Sequence, residues 1–469
     1  MFRYGSAAAA ARAGMATFDP ADPSQQVGSY GRTEPSDVAA LVALARDAQR
    51  DWAAQPVFAR INVLSRWLDA VAARSEEIAS AITLEQGKPL GEARGETGKA
   101  LDEARIMLGI ASQPLVAVYA SVRKGVMPLT TRRPRGLVAA ITPWNFPVLT
   151  PMRKIAPALA FGNAIIVKPS ELAPAAACIV AEAGEGILPS GLLQIVLGER
   201  ALGAALVASG AEGVTFTGSV STGKAVYRAA ADTLAELSLE LGGKNAALVH
   251  DATDLDACLD QISNAAFLCS GQRCTAISRV IVRSDLADAV TTGLVRRAEA
   301  LIPGDGREQG VTFGPLVSAA HRASVSDLVE AGVKAGARCR TGGKMLNRVG
   351  YFYAPTILDR VTHDSPVARE EIFGPVVSIL TYDQLDEAFQ ILNDTEFGLS
   401  SALFATDADV ITRFVEESGA GMVHVNHGTT PDSNMPFVGI RNSGVSACSV
   451  GPGAAAFYTT EHAVYLGRQ

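Results

Sequence analysis

The sequence lacks several features that would point to particular classes of protein. It has no run of eighteen apolar residues, so an ordinary membrane-spanning helix is not expected. It has no basic excess, because 41 Lys and Arg stand against 48 Asp and Glu, and a nucleic-acid partner needs a basic surface. Its six cysteines include no CxxC pair, which argues against a zinc knuckle or a disulfide framework. We therefore expect a cytoplasmic protein with reduced thiols, no bound metal, and neither a nucleic-acid nor a membrane partner.

The sequence also lacks the pattern of a targeting peptide at its start and the usual motif for binding a dinucleotide. The first seventeen residues contain Arg3 and Arg12, no acidic residue and a run of alanines, but no long apolar core. An N-terminal extension, or a translation start at Met15, is therefore expected rather than a targeting peptide. No G-x-G-x-x-G motif opens a turn between a predicted strand and a helix, so the ordinary Rossmann fingerprint is missing.

The hydrophobic pattern predicts an α/β protein of more than one domain, as its 469 residues also suggest. Helical spacing near the start predicts helices over residues 36–55, 59–73 and 75–86. Short apolar runs then predict buried strands at 137–141, 164–167, 193–197 and 214–216, with helices at 173–184 and 203–209. A second series, from Asn245 to Asn426, has strands at 279–282, 376–380 and 401–404. This alternation predicts two successive open parallel-sheet α/β domains.

Two stretches fit neither domain. Residues 121–135 are basic and are predicted to form a projecting hairpin, whereas residues 456–466 form an isolated strand-like segment. Strands without a sheet of their own often complete the sheet of a second subunit. We therefore expect a small oligomerisation arm.

Cys274 is the first candidate for chemistry. Gly271, three residues before it, allows a close backbone approach, and the adjacent Arg273 supplies positive charge that favours a thiolate. Most cysteines of this kind only fill space in the core, so the local features do not by themselves identify Cys274 as a nucleophile.

Two further candidates follow predicted strands. Asn145 lies in the loop Thr-Pro-Trp-Asn-Phe-Pro, where its amide can donate to a developing oxyanion or can simply cap a turn. Glu240 precedes the double glycine Gly242-Gly243, and it is either a loop acid or a general base whose pKa is raised.

Taken together, the motifs resemble those of the aldehyde dehydrogenase superfamily, over essentially the whole chain. The matching segments are PWNFP at 143–147, KPSE at 168–171, FTGS at 216–219, ELGGK at 240–244, GQRC at 271–274 and EEIFGPV at 370–376. Their order also matches, as does the separation of thirty-four residues between Glu240 and Cys274.

The resemblance implies a fold and a division of the chain. It implies the aldehyde dehydrogenase fold, with a cofactor-binding domain at 1–120 and 136–243 and a catalytic domain at 244–438. Residues 121–135 and 455–469 would then be oligomerisation or bridging segments in a homodimer or homotetramer.

The resemblance also implies catalytic roles. Cys274 would attack the aldehyde, the Asn145 side chain and the Cys274 backbone N–H would stabilise the oxyanion, and Glu240 would activate water to release a thioester. Lys154 would lie near Glu240, either in a proton relay or simply in a salt bridge.

NAD or NADP is the implied cofactor. The residues implied to bind it are Trp144, Lys168, Ser170, Glu171, Gly218, Ser219, Gly242, Glu371 and Phe373. Lys168 and Glu171 would hold the adenosine ribose, and a carboxylate there favours NAD over NADP, because it accepts from a 2′-hydroxyl and repels a 2′-phosphate.

The implied substrate pocket contains Phe146, Arg153 and Arg273. Arg153 resembles an arginine of relatives that act on carboxylated semialdehydes, where it would pair with the substrate carboxylate; alternatively it turns to a neighbouring acid. A second arginine of succinate semialdehyde dehydrogenases would fall at Leu268, so that match is incomplete. The ending at residues 457–460 resembles 2-oxoglutarate semialdehyde dehydrogenases. A short anionic semialdehyde, such as succinate semialdehyde, is the expected substrate.

Two departures from the family pattern stand near the C-terminus. Val438 replaces a usual glycine and would be strained if its φ were positive. Residues 445–449 lack the usual Gly-Arg-Glu pattern.

Other functions stay open on the sequence. A CoA-acylating enzyme, a broad-specificity enzyme for neutral aldehydes, a thiol hydrolase and a binding protein derived from the family are the alternatives. Glu240 argues against the first, and the lack of a motif-matched histidine argues against the hydrolase.

Overall fold

The computed structural model describes residues 2–4, 14–446 and 448–467. Much of the predicted N-terminal extension lies outside the described residues. Within them, the first large sheet has six strands, which are, in spatial order, β18 (Gly444–Ser446), β10 (Glu236–Glu240), β9 (Gly213–Thr217), β6 (Leu137–Ile141), β7 (Ala164–Lys168) and β8 (Leu193–Ile195). All neighbours are parallel except β18, which runs antiparallel to β10.

Continuous apolar runs form the centre of this sheet because both of its faces are covered. Every residue of β7 is buried. Ile141, at the end of β6, lies opposite Lys168 of β7 and Phe216 of β9. Since parallel strands end at the same edge, the loops after β6, β7, β9 and β10 open side by side.

The second large sheet has, in the described part of the chain, seven strands. In spatial order they are β13 (Arg338–Thr341), β14 (Thr356–Asp359), β15 (Val376–Tyr382), β12 (Ile277–Arg283), β11 (Asn245–Val249), β16 (Ser400–Phe404) and β17 (Met422–Val425). Only the pair β13–β14 is antiparallel. Alternate residues of β11 face opposite sides: Ala246 and Leu248 pack in one apolar cluster, and Ala247 and Val249 pack in another.

The carboxyl edge of the first large sheet meets the amino edge of the second. The chain leaves the carboxyl end of β10 at Glu240 and enters the amino end of β11 at Asn245, only five residues later. The segments that precede β12 and β15 lie at the same amino edge as the start of β11, because these strands are parallel. Loops from the carboxyl edge of one sheet therefore face loops from the amino edge of the other.

The other strands of the described residues form two small three-stranded sheets. The first contains β1 (Phe2–Tyr4), β3 (Asp22–Tyr30) and β2 (Met15–Asp19); the second contains β19 (Thr459–Gly467), β5 (Val126–Pro134) and β4 (Val116–Val118). β19 pairs along its whole length with β5. The expectation that the C-terminal strand has no sheet within its own chain is therefore wrong: the basic hairpin supplies that sheet.

Helices cover both large sheets. Their bounds are α1 (Val38–Ala53), α2 (Val57–Ala73), α3 (Ser75–Gln86), α4 (Leu90–Ala111), α5 (Leu149–Ala160), α6 (Ala175–Glu182), α7 (Arg200–Val207), α8 (Val220–Ala230), α9 (Leu255–Phe267), α10 (Ala287–Glu299), α11 (Ala319–Lys334), α12 (Pro366–Arg369), α13 (Leu385–Asn393), α14 (Ala408–Glu417) and α15 (Ala454–Tyr458). Short 3-10 turns lie at Pro35–Asp37, Leu268–Gly271, Ser284–Leu286 and Arg441–Ser443. Among the described helices, none is both long enough and apolar enough to cross a membrane.

The predicted α/β fold class is confirmed, and the predicted bounds differ mainly at element ends. The first helix begins as a 3-10 turn and becomes α-helical only at Val38. The strand predicted at 193–197 ends at Ile195. The pattern gave no prediction for α4, because its 22 residues include four glycines, each of which costs about 1 kcal/mol in a helix. Packing against α5 stabilises it instead, and this unpredicted helix reaches the site.

Candidate active site

One cavity of about 540 Å³ lies where the two large sheets meet. Twelve of the sixteen predicted site residues line it: Trp144, Asn145, Phe146, Arg153, Gly218, Ser219, Glu240, Gly242, Arg273, Cys274, Glu371 and Phe373. The other four lie outside its lining. Lys154 lies behind Glu240, and Lys168, Ser170 and Glu171 follow or end β7.

The segment that carries Cys274 follows α9 as a left-handed turn. Cys269, Ser270 and Gly271 all have positive φ, of 57°, 54° and 71°. A Cβ on Gly271 would lie 2.2 Å from the carbonyl oxygen of Gly374, so only glycine fits this approach. The next residue, Gln272, is fully buried; its Nε2 donates to the Pro315 oxygen at 3.3 Å, and its Oε1 accepts from Val317 N at 2.9 Å. Cys274 is therefore presented by a fixed backbone.

The Cys274 thiol is partly exposed to the cavity. Burial, reinforced by the Glu371 carboxylate, raises the pKa of Cys274 to about 12, although Arg153 and Arg273 act in the opposite direction. Arg273 therefore favours the thiolate, as expected, but it does not determine the protonation state of the sulfur. Desolvation outweighs the nearby positive charge, and the sulfur is a protonated thiol at neutral pH.

Asn145 is buried directly after β6 and faces the Cys274 segment. Its Nδ2 donates to the Gln272 carbonyl at 2.9 Å, which uses one of its two N–H groups. Its own backbone carbonyl accepts from Lys88 Nζ at 2.8 Å, and Lys88 is held in turn by Glu96 at 2.6 Å. These bonds fix the Asn145 amide beside the cysteine and leave one N–H for another acceptor.

Glu240 ends β10 as a buried carboxylate that reaches the cavity lining. Its Oε1 accepts a short hydrogen bond from the Ser449 hydroxyl, and its Oε2 accepts from Thr217 Oγ1 at 3.1 Å. Burial alone would raise the pKa of Glu240, but the Lys154 ammonium, Ser449, Arg153 and Thr217 together hold it below its ordinary value. The expectation of a raised pKa is therefore wrong; Glu240 is ionised at neutral pH.

Lys154 is fully buried on α5 with its Nζ 3.9 Å from Glu240 Oε2. The same Nζ donates to Thr215 Oγ1 at 2.8 Å. Burial lowers the pKa of Lys154, and the Glu240 carboxylate partly offsets that effect. Lys154 was expected to act either in a proton relay or in a salt bridge. Both alternatives require that its ammonium group approach Glu240, and the structure has this contact.

Arg153, also on α5, turns to a neighbouring acid. Its Nε and Nη2 donate to the two carboxylate oxygens of Glu103 at 2.6 and 2.8 Å, in a buried fork. Its guanidinium lies 4.9 Å from the centre of the Phe437 ring. Because a bidentate pair neutralises both charges, Arg153 has little left to offer a substrate carboxylate. The structure thus favours the internal ion pair over the substrate clamp.

Arg273 differs from Arg153 in having no carboxylate within salt-bridge distance among the described residues. It is 5% exposed and lines the cavity. Its Nη2 donates to Thr275 Oγ1 at 3.2 Å, whereas its Nη1 has no hydrogen-bond partner in the described part of the chain. A buried donor of this kind normally has a partner, so Nη1 of Arg273 is an unsatisfied donor behind the wall of the cavity.

Aromatic rings form one wall of the cavity. The Trp144 ring packs edge-on against Phe373 at 5.5 Å and against His321 at 5.6 Å. His321, which the sequence did not single out, has its Nε2 2.8 Å from the Phe373 carbonyl oxygen. This contact supports Phe373, whose φ is 54°. Because the rings are steeply inclined to one another, the wall presents both ring faces and ring edges to the cavity.

Polar groups suited to a dinucleotide continue from this wall. Glu371 Oε1 accepts from Gly243 N at 3.0 Å, and a Cβ on Gly242 would lie 2.0 Å from its other oxygen, which accounts for the glycine. Burial raises the pKa of Glu371 to about 7. Ser219 caps the N-terminus of α8, where backbone N–H groups favour an anion.

The residues expected to bind the adenosine ribose lie at the end of β7. Lys168 Nζ is 3.4 Å from Glu171 Oε2, and the Glu171 side chain is 44% exposed, so it is open to a ligand. Ser170 is buried between them, and its hydroxyl accepts from Leu172 N at 3.3 Å.

Val438 does not have the strained backbone that its replacement of a glycine suggested. It is absent from the described residues that have positive φ. Its carbonyl oxygen instead lies against Gly421, at 2.4 Å from where a Cβ would stand. The valine is thus accommodated without a left-handed conformation.

Glu103 and Ser449 are the buried partners of Arg153 and Glu240 that the motifs did not reveal. Glu103 is fifty residues from Arg153, on the unpredicted α4, and Ser449 is 209 residues from Glu240. The only available signal for Ser449 was the departure of residues 445–449 from the family pattern.

Comparison with known proteins gives consistent results. A model of the aldehyde dehydrogenase family matches residues 7–464. The α-ketoglutaric semialdehyde dehydrogenase of Bacillus subtilis (strain 168) is 35% identical over 456 residues, which cover 96% of this chain and 93% of that protein. The geranial dehydrogenase of Castellaniella defragrans is 36% identical over 445 residues, covering 94% and 93%. A crystal structure of an NADP-dependent enzyme of E. coli matches with a TM-score of 0.95 at 30% identity, covering 97% of this chain and 95% of that one.

Proposed function

Because the chain belongs to the aldehyde dehydrogenase family, whose members oxidise aldehydes with NAD(P), we propose that it oxidises a short anionic semialdehyde through a thioester on Cys274. The chain is accordingly an oxidoreductase that acts on a small-molecule aldehyde. The proposal for the mechanism rests on one observation: Cys274, Asn145 and Glu240 line the same cavity of about 540 Å³.

The proposed chemistry begins at the cysteine. Cys274 gives up its thiol proton to solvent water, and the resulting thiolate forms a bond to the aldehyde carbon while the carbonyl π bond breaks and its oxygen becomes an oxyanion. The free N–H of the Asn145 amide and the Cys274 backbone N–H are the proposed donors to that oxygen. The hydride on the same carbon would need an acceptor, which a nicotinamide dinucleotide held beside Trp144, Phe373 and Glu371 would supply. Glu240 then takes a proton from water, which attacks the thioester, releases the acid and restores the thiol.

The residues near Glu371 fit a nicotinamide dinucleotide. The aromatic wall of Trp144 and Phe373 suits a flat ring, and the α8 N-terminus at Ser219 suits a pyrophosphate. We propose that Lys168 and Glu171 bind the adenosine ribose and that NAD is preferred to NADP. The half-exposed Glu171 carboxylate supports that preference, because it would repel a 2′-phosphate.

An anionic substrate is supported by Arg273 more than by Arg153. Arg153 is neutralised by Glu103, whereas Arg273 keeps a free donor at Nη1 beside the cysteine. The α-ketoglutaric semialdehyde enzyme of Bacillus subtilis supports an acidic substrate, whereas the geranial dehydrogenase acts, by its name, on a neutral aldehyde. A broad-specificity enzyme for neutral aldehydes therefore stays the second candidate.

Release of the thioester by water, rather than by CoA, is supported by Glu240. The carboxylate reaches the cavity lining and is ionised, as a base for water must be. Acid formation that needs no added CoA is the expected result, and a strict requirement for CoA would contradict it.

The experiment that tests the proposal is an absorbance screen at 340 nm for NAD(P)H. The purified protein is given succinate semialdehyde, 2-oxoglutarate semialdehyde and neutral aldehydes of equal length, with each cofactor. We expect turnover with the acidic substrates and none with Cys274→Ala. Cys339→Ala is the matched control, because Cys339 is an exposed cysteine on β13 and lies outside the cavity lining. Undiminished turnover in Cys274→Ala would refute the nucleophile.

We also propose the division of the chain into a cofactor domain at 1–120 and 136–243 and a catalytic domain at 244–438. The small sheet of β19, β5 and β4 is the proposed contact between subunits of a homodimer or homotetramer. Exposed apolar side chains at Val116, Val118 and Tyr465 support this. A monomer in sedimentation equilibrium would contradict it.

A further inference from the structure

The segment after β18 closes over the buried side of Glu240. Ser449 in this segment is fully buried, and its hydroxyl donates to Glu240 Oε1. Gly451, two residues later, approaches Pro436 so closely that a Cβ there would lie 2.8 Å from the Pro436 nitrogen. The segment is therefore packed in place, and the Ser449 hydroxyl has a fixed position rather than a choice of rotamers on a surface.

Both oxygens of Glu240 have donors. Oε1 is bonded to Ser449, and Oε2 is bonded to Thr217 at 3.1 Å and faces Lys154 Nζ at 3.9 Å. The other titratable groups whose charges act on Glu240, or on which its charge acts, are Arg153, Cys274, Cys448 and Tyr458. Of these neighbours, only the two hydroxyls and Lys154 are near enough to set the orientation of the carboxylate.

We propose that Ser449 is a positioning residue that fixes the orientation of the Glu240 carboxylate by donating a hydrogen bond to its Oε1. This proposal rests on the proposed function, in which Glu240 is the base that activates water. The physical reason is that a hydroxyl that donates to a carboxylate stabilises the charged form, so its removal favours the protonated form. Ser449 belongs to the stretch at 445–449 that lacks the Gly-Arg-Glu pattern expected from the resemblance.

The consequence appears in the pH dependence of thioester release. Glu240 must be a carboxylate to accept a proton from water, so the rate falls on the acid side of its pKa. Loss of one hydrogen bond to a charged group corresponds to an upward shift of about one pH unit in that acid limb. The acid limb moves to higher pH, because without the Ser449 hydroxyl Glu240 needs a higher pH to ionise.

The test compares Ser449→Ala with the parent enzyme in pre-steady-state kinetics. NADH is followed through a first turnover, and the slower steady phase is measured from about pH 3.5 to pH 8, a range that reaches below the ordinary pKa of a glutamate because the pKa of Glu240 is lowered. The steady phase of Ser449→Ala should have its acid limb at higher pH, with its rate recovering as pH rises. Ser446→Ala is the control, because Ser446 is exposed on β18, three residues earlier, and should leave the profile unchanged.

The outcomes separate the two levels of the proposal. If the parent enzyme forms no NAD(P)H with any aldehyde, the proposed function fails, and the role of Ser449 fails with it. If the parent is active but the acid limb of Ser449→Ala coincides with that of the parent, only the positioning role is overturned. A uniform loss of rate at every pH would also overturn it, because a purely structural defect has no reason to follow the ionisation of Glu240. Ser449→Thr keeps a hydroxyl and tests whether the hydroxyl is the cause. If its acid limb returns to the parental position, the positioning role is supported. If the folded variant keeps the acid limb of Ser449→Ala, the positioning role is contradicted.

Discussion

The protonated state of Cys274 leads to a quantitative prediction for its reactivity in the ligand-free protein. With a pKa of about 12, only about three in 10⁵ of the molecules hold a thiolate at pH 7.5, against about one in ten for an unperturbed cysteine. A thiolate of higher pKa is also more nucleophilic. With a Brønsted slope of about 0.45, the rate constant of the Cys274 thiolate itself is about 40 times that of an unperturbed thiolate. The net expectation is alkylation about a hundredfold slower than for an unperturbed thiol.

The assay is alkylation by iodoacetamide, followed by mass spectrometry of the peptide that contains Cys274. The rate should rise about tenfold for each pH unit between pH 7 and pH 10, since each unit raises the thiolate fraction tenfold. The exposed Cys339 is an internal reference in the same digest. A Cys274 rate that levels off below pH 9 would refute the reasoning, because it would mean that the Arg153 and Arg273 charges outweigh burial.

Three further predictions concern charged groups around the cavity. Arg273→Met should raise KM about tenfold or more for an acidic semialdehyde, since it removes a hydrogen bond to a charged group, and leave KM for a neutral aldehyde of equal length unchanged; equal effects would contradict the assignment. Glu103→Gln should lower the free energy of unfolding, measured in denaturant, by about 3–5 kcal/mol, because it leaves the Arg153 charge buried and unpaired. The control is Glu76→Gln, which removes an exposed pair with Arg94 and should lower the same free energy by about 1 kcal/mol or less. Glu171→Ala should narrow the ratio of kcat/KM for NAD over NADP, and an unchanged ratio would show that another group sets the preference.

The sequence predicted the part of the site that depends on strand ends. Asn145, Ser219 and Glu240 follow or end short apolar runs, and parallel strands necessarily bring such positions to one edge. The motif order then identified the family. These inferences needed only local periodicity and short motifs, which are visible in a single chain.

The partners of the long side chains could not be predicted in the same way. Arg153 pairs with Glu103 on α4, a helix whose glycines hide its periodicity. Ser449 reaches Glu240 from the other end of the chain, through β18 at the edge of the first sheet. Such contacts depend on packing between elements far apart in sequence, and no local pattern encodes them.

The ionisation of Cys274 and that of Glu240 could not be predicted from the sequence, for different reasons. At Cys274 the positive charge of Arg273 acts as expected, but burial outweighs it and raises the pKa. At Glu240 burial acts in the expected direction, but contacts with Lys154 and Ser449 outweigh it and lower the pKa. Burial and contacts between distant elements are known only when the fold is known.

The most direct test of the central claim is to trap the acyl intermediate. Glu240→Gln keeps the size of the side chain but removes the proposed base for water. When this variant is mixed with a semialdehyde and NAD(P)⁺ and quenched in acid, mass spectrometry should find the acyl group on the peptide that contains Cys274, with one NAD(P)H formed per site. An acyl group on Cys269 instead, or full steady-state turnover with no acyl-enzyme, would contradict the account.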